Sequence, residues 1–423
     1  MKRFLAMLTA LVIVATTITG CSSKKEDTQT ATTTQPEETA NSEETVETTS
    51  ASGDVEIWYY WENEDHQKSL NGIIDAYNAS QSEIKVSAEY IPFSDFKKQL
   101  SIGASADELP DLVIIDSPDN ASYATMGIFA DLTNKFDVSD YFEGTVQSAT
   151  LDGKLYGVPF GVNCLALYYN EDMLKEAGAE VPETWDQLKE TAVKLTKGEV
   201  SGFAFSSVQN EEGTFNFMPW IWSTGASSFE INSEGGIKAL SFVKDLVDSG
   251  AMSKECINWT QGDVMNQFMS GNVAMMVNGP WQIPTMRAEA TDVNWNVALI
   301  PMDAQYASVL GGENYAVIAG GNEDAAISFL QYVTQEDNVI KLMSEFGYIS
   351  AIQSIADTQF SDDPIYTKFT EELQYAKPRG PHANWPEISD AISLAFNEVI
   401  TGTASAADAG KEAQDKIDAI INQ

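Results

Sequence analysis

Apolar and polar positions change their spacing along the chain, and these changes predict a succession of strands and helices. Residues 55–59 are rich in β-branched and aromatic side chains and predict a strand, whereas apolar positions between 70 and 77 recur at helical spacing. Residues 84–90 alternate again, and the apolar run 112–115 is typical of a buried strand in a parallel sheet. This order of elements predicts an α/β fold in which helices connect neighbouring strands.

Helical signals dominate the later part of the chain. Thr184 is followed three residues later by Gln187, a capping-box pattern that predicts a helix running through Leu188. Apolar positions between 388 and 399 also recur at helical spacing. We therefore expect strands to predominate in the first part of the chain and helices in the last part.

The chain begins with the features of a lipoprotein export signal. Lys2 and Arg3 precede an apolar run at 4–14 that is too short to span a membrane, and the small residues ITG then lead into Cys21. This lipobox resemblance implies that residues 1–20 are removed and that Cys21 carries a diacylglyceryl thioether, with further acylation by a chain such as palmitate. An ordinary secretory signal with an incidental cysteine is the alternative.

The segment 21–54 has a composition that cannot form a packed core. It is rich in Thr, Glu, Ser and Ala, and it contains no aromatic residue. We interpret it as a disordered tether that holds a folded body, residues 55–423, at the outer face of the cell membrane. That body is long enough for two ordinary domains.

Charge excludes several classes of partner. The formal net charge is −39, and without the first twenty residues, whose charged side chains are Lys2 and Arg3, it is −41. This balance argues against nucleic acid and anionic membrane surfaces. Arg287 and Arg379 are the arginines that follow Cys21, and because arginine forks commonly bind phosphate and carboxylate, a neutral ligand is favoured.

The cysteines and histidines predict neither a metal site nor a cofactor. Cys164 and Cys256 are left after lipidation, and free buried thiols are favoured over a disulfide between them. The two histidines, His66 and His382, are far apart in sequence, and no Cys/His cluster has zinc spacing. We therefore expect no metal, no cofactor and no catalytic residue.

Nine short motifs in a fixed order carry a family resemblance. Each motif is weak alone, but their number and order cover nearly everything from residue 55 onward. The chain resembles extracellular solute-binding proteins of ABC sugar importers, a group similar to maltose-binding protein. The motifs are PDLV at 110–113, GIFADL at 127–132, DGKLYGVP at 152–159, LYYN at 167–170, ETWDQL at 183–188, GNVAMM at 271–276, GPW at 279–281, LIP at 299–301 and GG at 311–312.

The resemblance implies an α/β fold of two lobes joined by hinge strands, with ligand held in the cleft between them. The chain would cross between lobes near Gly161, near Gly311 and Gly312, and last after Ser354, since glycines absorb the dihedral changes of a hinge. The predicted lobes are residues 55–160 with 313–354 for the N-terminal lobe, and 161–312 with 355–423 for the C-terminal lobe.

Candidate ligand residues follow two predicted strands. A sugar site needs aromatic rings for C–H faces and carboxylates or amides for hydroxyls. Tyr60, Trp61 and Glu62 follow the first strand, at the edge where open α/β sheets bind ligands, with core packing as the alternative for each aromatic ring. Asp116 and Asn120 follow the run 112–115, with a helix N-cap as the alternative for Asp116.

Further candidates lie later in the chain. Trp220 and Trp222 would point the same way on a strand but about 200° apart on a helix, so that one of them serves as platform and the other as core. Trp281 matches the family position whose aromatic ring stacks on sugar, with packing beneath the turn as the alternative. Glu313 and Asn314 follow the predicted hinge, where hinge stabilisation is the competing role.

The last two candidates are Arg379 and Trp385, in an irregular stretch that borders the cleft in this family.

The resemblance implies a monomeric binding protein that delivers a neutral carbohydrate, an oligosaccharide, to ABC permease subunits and performs no chemistry. A binding protein for peptide or polyamine, a sensing receptor and a glycoside hydrolase are the alternatives.

Overall fold

The computed structural model describes residues 51–380 and 382–422. The predicted signal at 1–20, the lipidation at Cys21 and most of the tether lie outside the described residues. The first strand begins at Gly53, two residues before the predicted start of the folded body. In the described part of the chain, no helix has the length and apolar character needed to cross a membrane.

Strands and helices follow one another along the described chain. The strands are β1 Gly53–Tyr59, β2 Ile84–Tyr90, β3 Leu112–Asp116, β4 Thr150–Leu151, β5 Lys154–Leu155, β6 Val158–Pro159, β7 Gly161–Val162, β8 Ala166–Asn170, β9 Met275–Asn278, β10 Trp295–Ala298, β11 Ser308–Leu310, β12 Glu313–Val317, β13 Ile349–Ser350 and β14 Ala376–Pro378. The α-helices are α1 Glu64–Ser80, α2 Phe93–Ala106, α3 Asn120–Thr125, α4 Glu143–Ser148, α5 Glu171–Ala177, α6 Trp185–Leu195, α7 Glu211–Ser223, α8 Glu234–Asp248, α9 Gln261–Met269, α10 Ile283–Glu289, α11 Glu323–Val333, α12 Glu336–Phe346, α13 Gln353–Ala356, α14 Pro364–Leu373, α15 Trp385–Thr401 and α16 Ala406–Ile421. Short 3₁₀ turns cover Ser117–Asp119, Lys254–Asn258 and Pro280–Gln282.

The first lobe is built on a five-stranded sheet in the order β2-β1-β3-β12-β6. Strands β1, β2 and β3 are parallel, while β12 runs antiparallel to both β3 and β6. Side chains of a strand alternate between faces, and in β3 Leu112 and Ile114 enter one apolar core while Val113 and Ile115 enter another. Cores on both faces explain the continuous apolar run in the sequence.

The second lobe is built on a three-stranded antiparallel sheet in the order β10-β8-β9. Leu167 of β8 packs into one core with the helices α7, α8, α15 and α16, and its neighbours Ala166 and Tyr168 pack into another on the opposite face. The C-terminal helices therefore belong to the core of this lobe.

Extended segments run side by side between the two sheets. Asn163 and Gly311 exchange two backbone hydrogen bonds of 3.1 and 2.9 Å, and the Phe160 amide donates to the Glu313 carbonyl at 2.8 Å. Gly312 has φ +139°, and a Cβ there would collide with the Gly161 carbonyl oxygen, so this crossing needs glycine. The residue boundaries of the lobes stay a prediction.

Local predictions agree with these elements. Thr184 and Gln187 form the predicted capping box at the start of α6. Cys164 and Cys256 are buried free thiols. The segment with Trp220 and Trp222 is a helix, α7, which decides how these two side chains point.

Candidate functional site

A cavity of about 480 Å³ lies between the two lobes. Its first-lobe wall is formed where β1, β2 and β3 end, which is the edge at which open α/β sheets place ligand sites. Its second-lobe wall is formed by the first turns of α7 and α9 and by the turn after β9. The cavity is therefore assembled from segments that are distant in sequence.

Seven of the twelve predicted ligand residues line this cavity. They come from both lobes and combine aromatic rings, carboxylates and one guanidinium. They are Tyr60, Trp61, Glu62, Asp116, Trp281, Glu313 and Arg379.

Glu313 is held by three aromatic donors. The Tyr60 and Tyr348 hydroxyls donate to its Oε1 at 3.2 and 3.0 Å, and the Trp61 indole N–H donates to the same oxygen at 3.2 Å. Its other oxygen, Oε2, is buried without a partner. Burial, with a smaller contribution from the charge of Asp116, raises the pKa of Glu313 to about 7.

Arg379 joins the two lobes at one wall of the cavity. Its guanidinium donates two hydrogen bonds of 2.9 Å to Asp116 at the end of β3, and it also pairs with Glu211 in the first turn of α7. It lies 4.5 Å from the centre of the Phe215 ring. Trp385 donates from its indole N–H to both oxygens of Glu211 at 3.0 Å.

Lys97 extends this ion cluster on the first lobe. Its ammonium lies 3.0 Å from Asp119 and 3.7 Å from Glu211. Charges from both lobes are therefore buried together beside the cavity, and removing one partner would leave a buried charge uncompensated.

A second acidic region lies where α7 and α9 begin. Glu212 accepts from the Ser206 hydroxyl at 2.7 Å and from the Gln261 amide at 2.6 Å, and burial raises its pKa to about 7. Glu62 reaches across from the first lobe and accepts from the Thr260 hydroxyl at 3.4 Å. Partial burial and then the charge of Asp263 raise the pKa of Glu62.

Trp281 presents an aromatic surface between the two lobes. Its ring centre lies 6.1 Å from those of Phe215 and Tyr348, and it is partly buried. A Cβ on Gly279 would collide with the indole ring, so the glycine of the GPW motif lets the ring fold back over the turn.

His66 adds an uncharged polar group to the cavity wall. It stacks on Phe346 with 4.3 Å between ring centres, and burial lowers its pKa to about 4. Its Nε2 is buried without a partner. Imidazole is therefore neutral here at physiological pH.

Five of the twelve predicted ligand residues lie outside this cavity. Two of them are the α7 tryptophans, one of which was expected to form a platform for ligand. Trp220 is 1% exposed and packs against Phe203 and Phe205 in the second-lobe core. Trp222 is also buried and donates to the Ser228 hydroxyl at 3.2 Å. The two rings point apart as a helix requires, but residues 216–223 of α7 are buried on every side, and neither ring lines the cavity.

The other three residues are also structural in their contacts. Asn314 follows Glu313 on β12 and so points to the opposite face, where it donates to Ser148 at 3.3 Å. Asn120 is 1% exposed and packs beside Gly157, where a Cβ would be 2.8 Å from its Oδ1. Trp385 is fully buried and does not line the cavity, but it donates to Glu211, which does.

Several cavity residues were missed in the sequence. Glu211 and Glu212 follow Asn210, which caps α7, and Thr260 forms a capping box at the start of α9. Asn and Thr are common N-cap residues, so the sequence around both positions indicates the start of a helix. No sequence pattern around Tyr348, in contrast, indicates a place in the cavity. Its hydroxyl donates to Glu313, which lies on a different element, β12.

A family model described as bacterial extracellular solute-binding protein matches residues 72–368. The chain belongs to this family. The description implies an extracytoplasmic location for this solute-binding protein. It also agrees with a cavity between two lobes.

Relatives and solved structures of similar length support the assignment. The galactooligosaccharide-binding protein of Bacillus subtilis (strain 168) is 25% identical over 377 residues, which cover 85% of this chain and 87% of the relative. A solute-binding protein of an ABC transporter from Thermotoga lettingae TMO, bound with alpha-D-tagatose, has a TM-score of 0.81 at 25% identity over 87% of this chain and 100% of that chain. The GacH receptor of Streptomyces glaucescens GLA.O, solved unliganded and with acarbose, has a TM-score of 0.78 at 26% identity over 86% and 97%.

These similarities confirm the predicted two-lobed α/β fold and the predicted resemblance to ABC sugar-binding proteins. Solute-binding proteins of this kind bind without catalysing a reaction.

Proposed function

We propose that this solute-binding protein captures a neutral carbohydrate, an oligosaccharide, in the cavity between its lobes and delivers it to the permease of an ABC transporter. The observation that carries the proposal is the cavity itself, whose wall combines aromatic rings such as Trp281 with buried carboxylates such as Glu313. Sugar-binding relatives and structural neighbours support the ligand class. The volume of about 480 Å³ lies within the range usual for ligand pockets.

The cavity chemistry supports a carbohydrate without acidic groups. Aromatic faces pack against sugar C–H groups, and carboxylate oxygens accept from hydroxyls. The positive charge of Arg379 at the cavity is already offset by Asp116 and Glu211. An acidic ligand would therefore add negative charge to a wall that is already acidic.

Closure of the lobes around ligand is the proposed signal to the permease. Glu62 and Trp61 belong to the first lobe, and Glu212 and Trp281 to the second, so that one ligand touching both stabilises the closed form. A ligand held by one lobe alone would not shift this equilibrium. The same closed form would also serve a sensing receptor.

The seven cavity-lining residues predicted from the sequence are proposed to contact ligand, with Trp281 as the stacking platform. Replacing Trp281 by Ala is expected to weaken saccharide binding at least tenfold without unfolding the protein. Trp295→Ala is the matched control, because Trp295 is also partly buried but lies on β10 outside the cavity. Equal affinity of wild type and W281A would remove Trp281 from the site.

The ligand class is tested by thermal shift of the purified body against saccharides, peptides, polyamines and sugar phosphates, because bound ligand raises the melting temperature by mass action. A saturable shift with one saccharide family, recovered uncleaved, is expected. Cleavage products would instead indicate a glycoside hydrolase, and a response to peptides or polyamines alone would overturn the carbohydrate class.

We also propose that the protein is a lipoprotein anchored through Cys21. The lipobox ITGC and the positively charged start of the chain support this. Cys21→Ser is expected to release the protein from the cell membrane, measured by fractionation. If C21S stays in the membrane fraction, the proposed anchor is contradicted. The proposed ligand binding does not depend on this result.

A further inference from the structure

The ion cluster beside the cavity joins charges from both lobes. Lys97 lies on α2 and Asp116 at the end of β3, both in the first predicted lobe, whereas Glu211 begins α7 and Arg379 follows β14 in the second. Arg379 donates two hydrogen bonds of 2.9 Å to Asp116, and the Lys97 ammonium lies 3.7 Å from Glu211. Among residues 51–380 and 382–422, these are the ion pairs that cross between the predicted lobes.

Each cation also has a carboxylate in its own lobe. Lys97 lies 3.0 Å from Asp119, and Arg379 pairs with Glu211. If the lobes separate, both cations keep one partner, and Asp116 is left at the cavity wall, where water can reach it. A broken ion pair is costly when it leaves a buried charge alone. Opening avoids that cost here, so the two crossing pairs can form and break reversibly.

Both groups of the crossing pair between Lys97 and Glu211 are charged. Burial alone would raise the pKa of Glu211, but the charges of Arg379 and then Lys97 outweigh it, and the pKa is lowered. Burial alone would lower the pKa of Lys97, but the charges of Asp119 and then Glu211 outweigh it, and the pKa is raised. The Trp385 indole holds Glu211 from within the second lobe, since it donates to both carboxylate oxygens at 3.0 Å. An ionised and fixed acceptor therefore lies beside the ammonium.

Two further side-chain hydrogen bonds join the lobes, and neither pairs opposite charges. The Asn63 amide donates to the Thr285 hydroxyl at 3.3 Å, and Glu62 accepts from the Thr260 hydroxyl at 3.4 Å. The attraction of opposite charges between the lobes therefore comes from the ion cluster. Within that cluster Lys97 does not line the cavity, so its effect on the lobes can be separated from contact with ligand.

We propose that Lys97 and Arg379 form an ion latch between the lobes: each cation keeps the carboxylate of its own lobe and gains one from the opposite lobe on closure. The protein makes these contacts with itself, so the closed form is populated before ligand arrives. Ligand then binds a state that is already sampled, and Lys97 raises the affinity as a positioning residue that does not touch ligand. The inference rests on the proposed closure of the lobes and is independent of the ligand class.

The test measures the distance between the lobes by pulsed electron spin resonance at pH 8, without ligand. Spin labels are attached at Asp75→Cys on α1 and Ala288→Cys on α10, which are exposed positions of the first and second lobe. Cys21→Ser removes the lipidation site, and Cys164 and Cys256 are buried. We expect two distances, the shorter of which matches the structure and accounts for at least about a tenth of the molecules.

Two substitutions in the first lobe are expected to act in opposite directions. Lys97→Met removes the cation and should lower the ratio of closed to open molecules at least about fivefold. Asp119→Asn removes the carboxylate that competes for Lys97, so the attraction to Glu211 strengthens and the closed fraction should rise. Burial raises the pKa of Asp119 to about 7, and at pH 8 this carboxylate is ionised in the wild type.

Three variants serve as controls. Lys97→Arg keeps the charge and should retain the closed fraction. Lys98→Met should leave the ratio unchanged, because Lys98 is the exposed neighbour on the same helix and forms no ion pair with the described residues. Urea unfolding at the same pH shows whether each variant folds. If K97M does not fold, K97M with D119N removes the whole first-lobe pair, and its closed fraction should be lower than that of D119N.

The outcomes separate the ion latch from the closure on which it rests. An equal closed fraction in wild type and K97M, or a closed fraction that falls in D119N as it does in K97M, would overturn the latch and leave closure by ligand intact. A ligand-free wild type without the shorter distance would do the same. A single distance that stays unchanged when a saccharide identified by thermal shift is added would overturn the proposed closure together with the latch.

Discussion

Replacing Glu313 by Gln is expected to stabilise the ligand-free protein at alkaline pH. Burial raises the pKa of this carboxyl from 4.5 to about 7, so the folded state binds a proton that the unfolded state has released. The stabilisation is complete below pH 4.5 and is lost as the pH rises through about 7. Gln resembles the protonated form and does not titrate.

The magnitude follows from the two pKa values. A pKa that changes from 4.5 to about 7 on folding corresponds to about 3 kcal/mol in the free energy of unfolding. At pH 8 the wild type carries this penalty in full, and E313Q avoids it. We therefore expect E313Q to be more stable by up to about 3 kcal/mol at pH 8, with most of that advantage lost at pH 5.

The assay is urea unfolding of wild type and variant between pH 5 and pH 8, without ligand. Subtracting one free energy from the other at each pH removes the titration of groups common to both, including Glu212 and His66. Glu345→Gln, at an exposed position of α12, is the control and should show no difference. A difference between E313Q and wild type that does not change with pH, or a less stable E313Q at pH 8, would refute the reasoning.

Three further substitutions test the core, the ion cluster and the crossing strands, each by urea unfolding or melting temperature. Trp220→Ala should lower the free energy of unfolding by about 3–5 kcal/mol because it empties a packed core, and a change below 1 kcal/mol would contradict its burial. Arg379→Met should cost about 3–5 kcal/mol by leaving buried carboxylates unpaired, and adding Asp116→Asn should restore part of the loss; no restoration would argue against the pair. Gly312→Ala should lower the melting temperature, since its Cβ meets the Gly161 carbonyl, and an unchanged melting temperature would mean that the crossing relaxes.

Much of the secondary structure could be predicted because its causes are local. The run 112–115 is apolar at every position since both faces of β3 are covered, and the capping box at Thr184 needs only four consecutive residues. The family resemblance could also be recognised from the sequence, because its motifs occur in order along the chain. These features depend on neighbours within a few positions.

The tryptophans show where local reasoning stops. Trp220 and Trp281 are both large aromatics in apolar surroundings, yet one fills a core and the other faces the cavity. Sequence spacing indicated that Trp220 and Trp222 diverge on a helix, but it carried no information on whether α7 is covered on every side. Coverage depends on α8 and α15, which pack against α7 from positions far along the chain.

The sequence by itself determined the element types, the family and the acidic character, and it indicated five residues of the first-lobe wall, since these follow from spacing, composition and strand ends. Only the tertiary structure decided that Tyr60, Trp61 and Tyr348 converge on one oxygen of Glu313 and leave the other free. It also decided that Arg379 is shared by Asp116 and Glu211. Burial and charge pairing depend on distances between segments separated by up to 263 positions, and no local pattern encodes those distances.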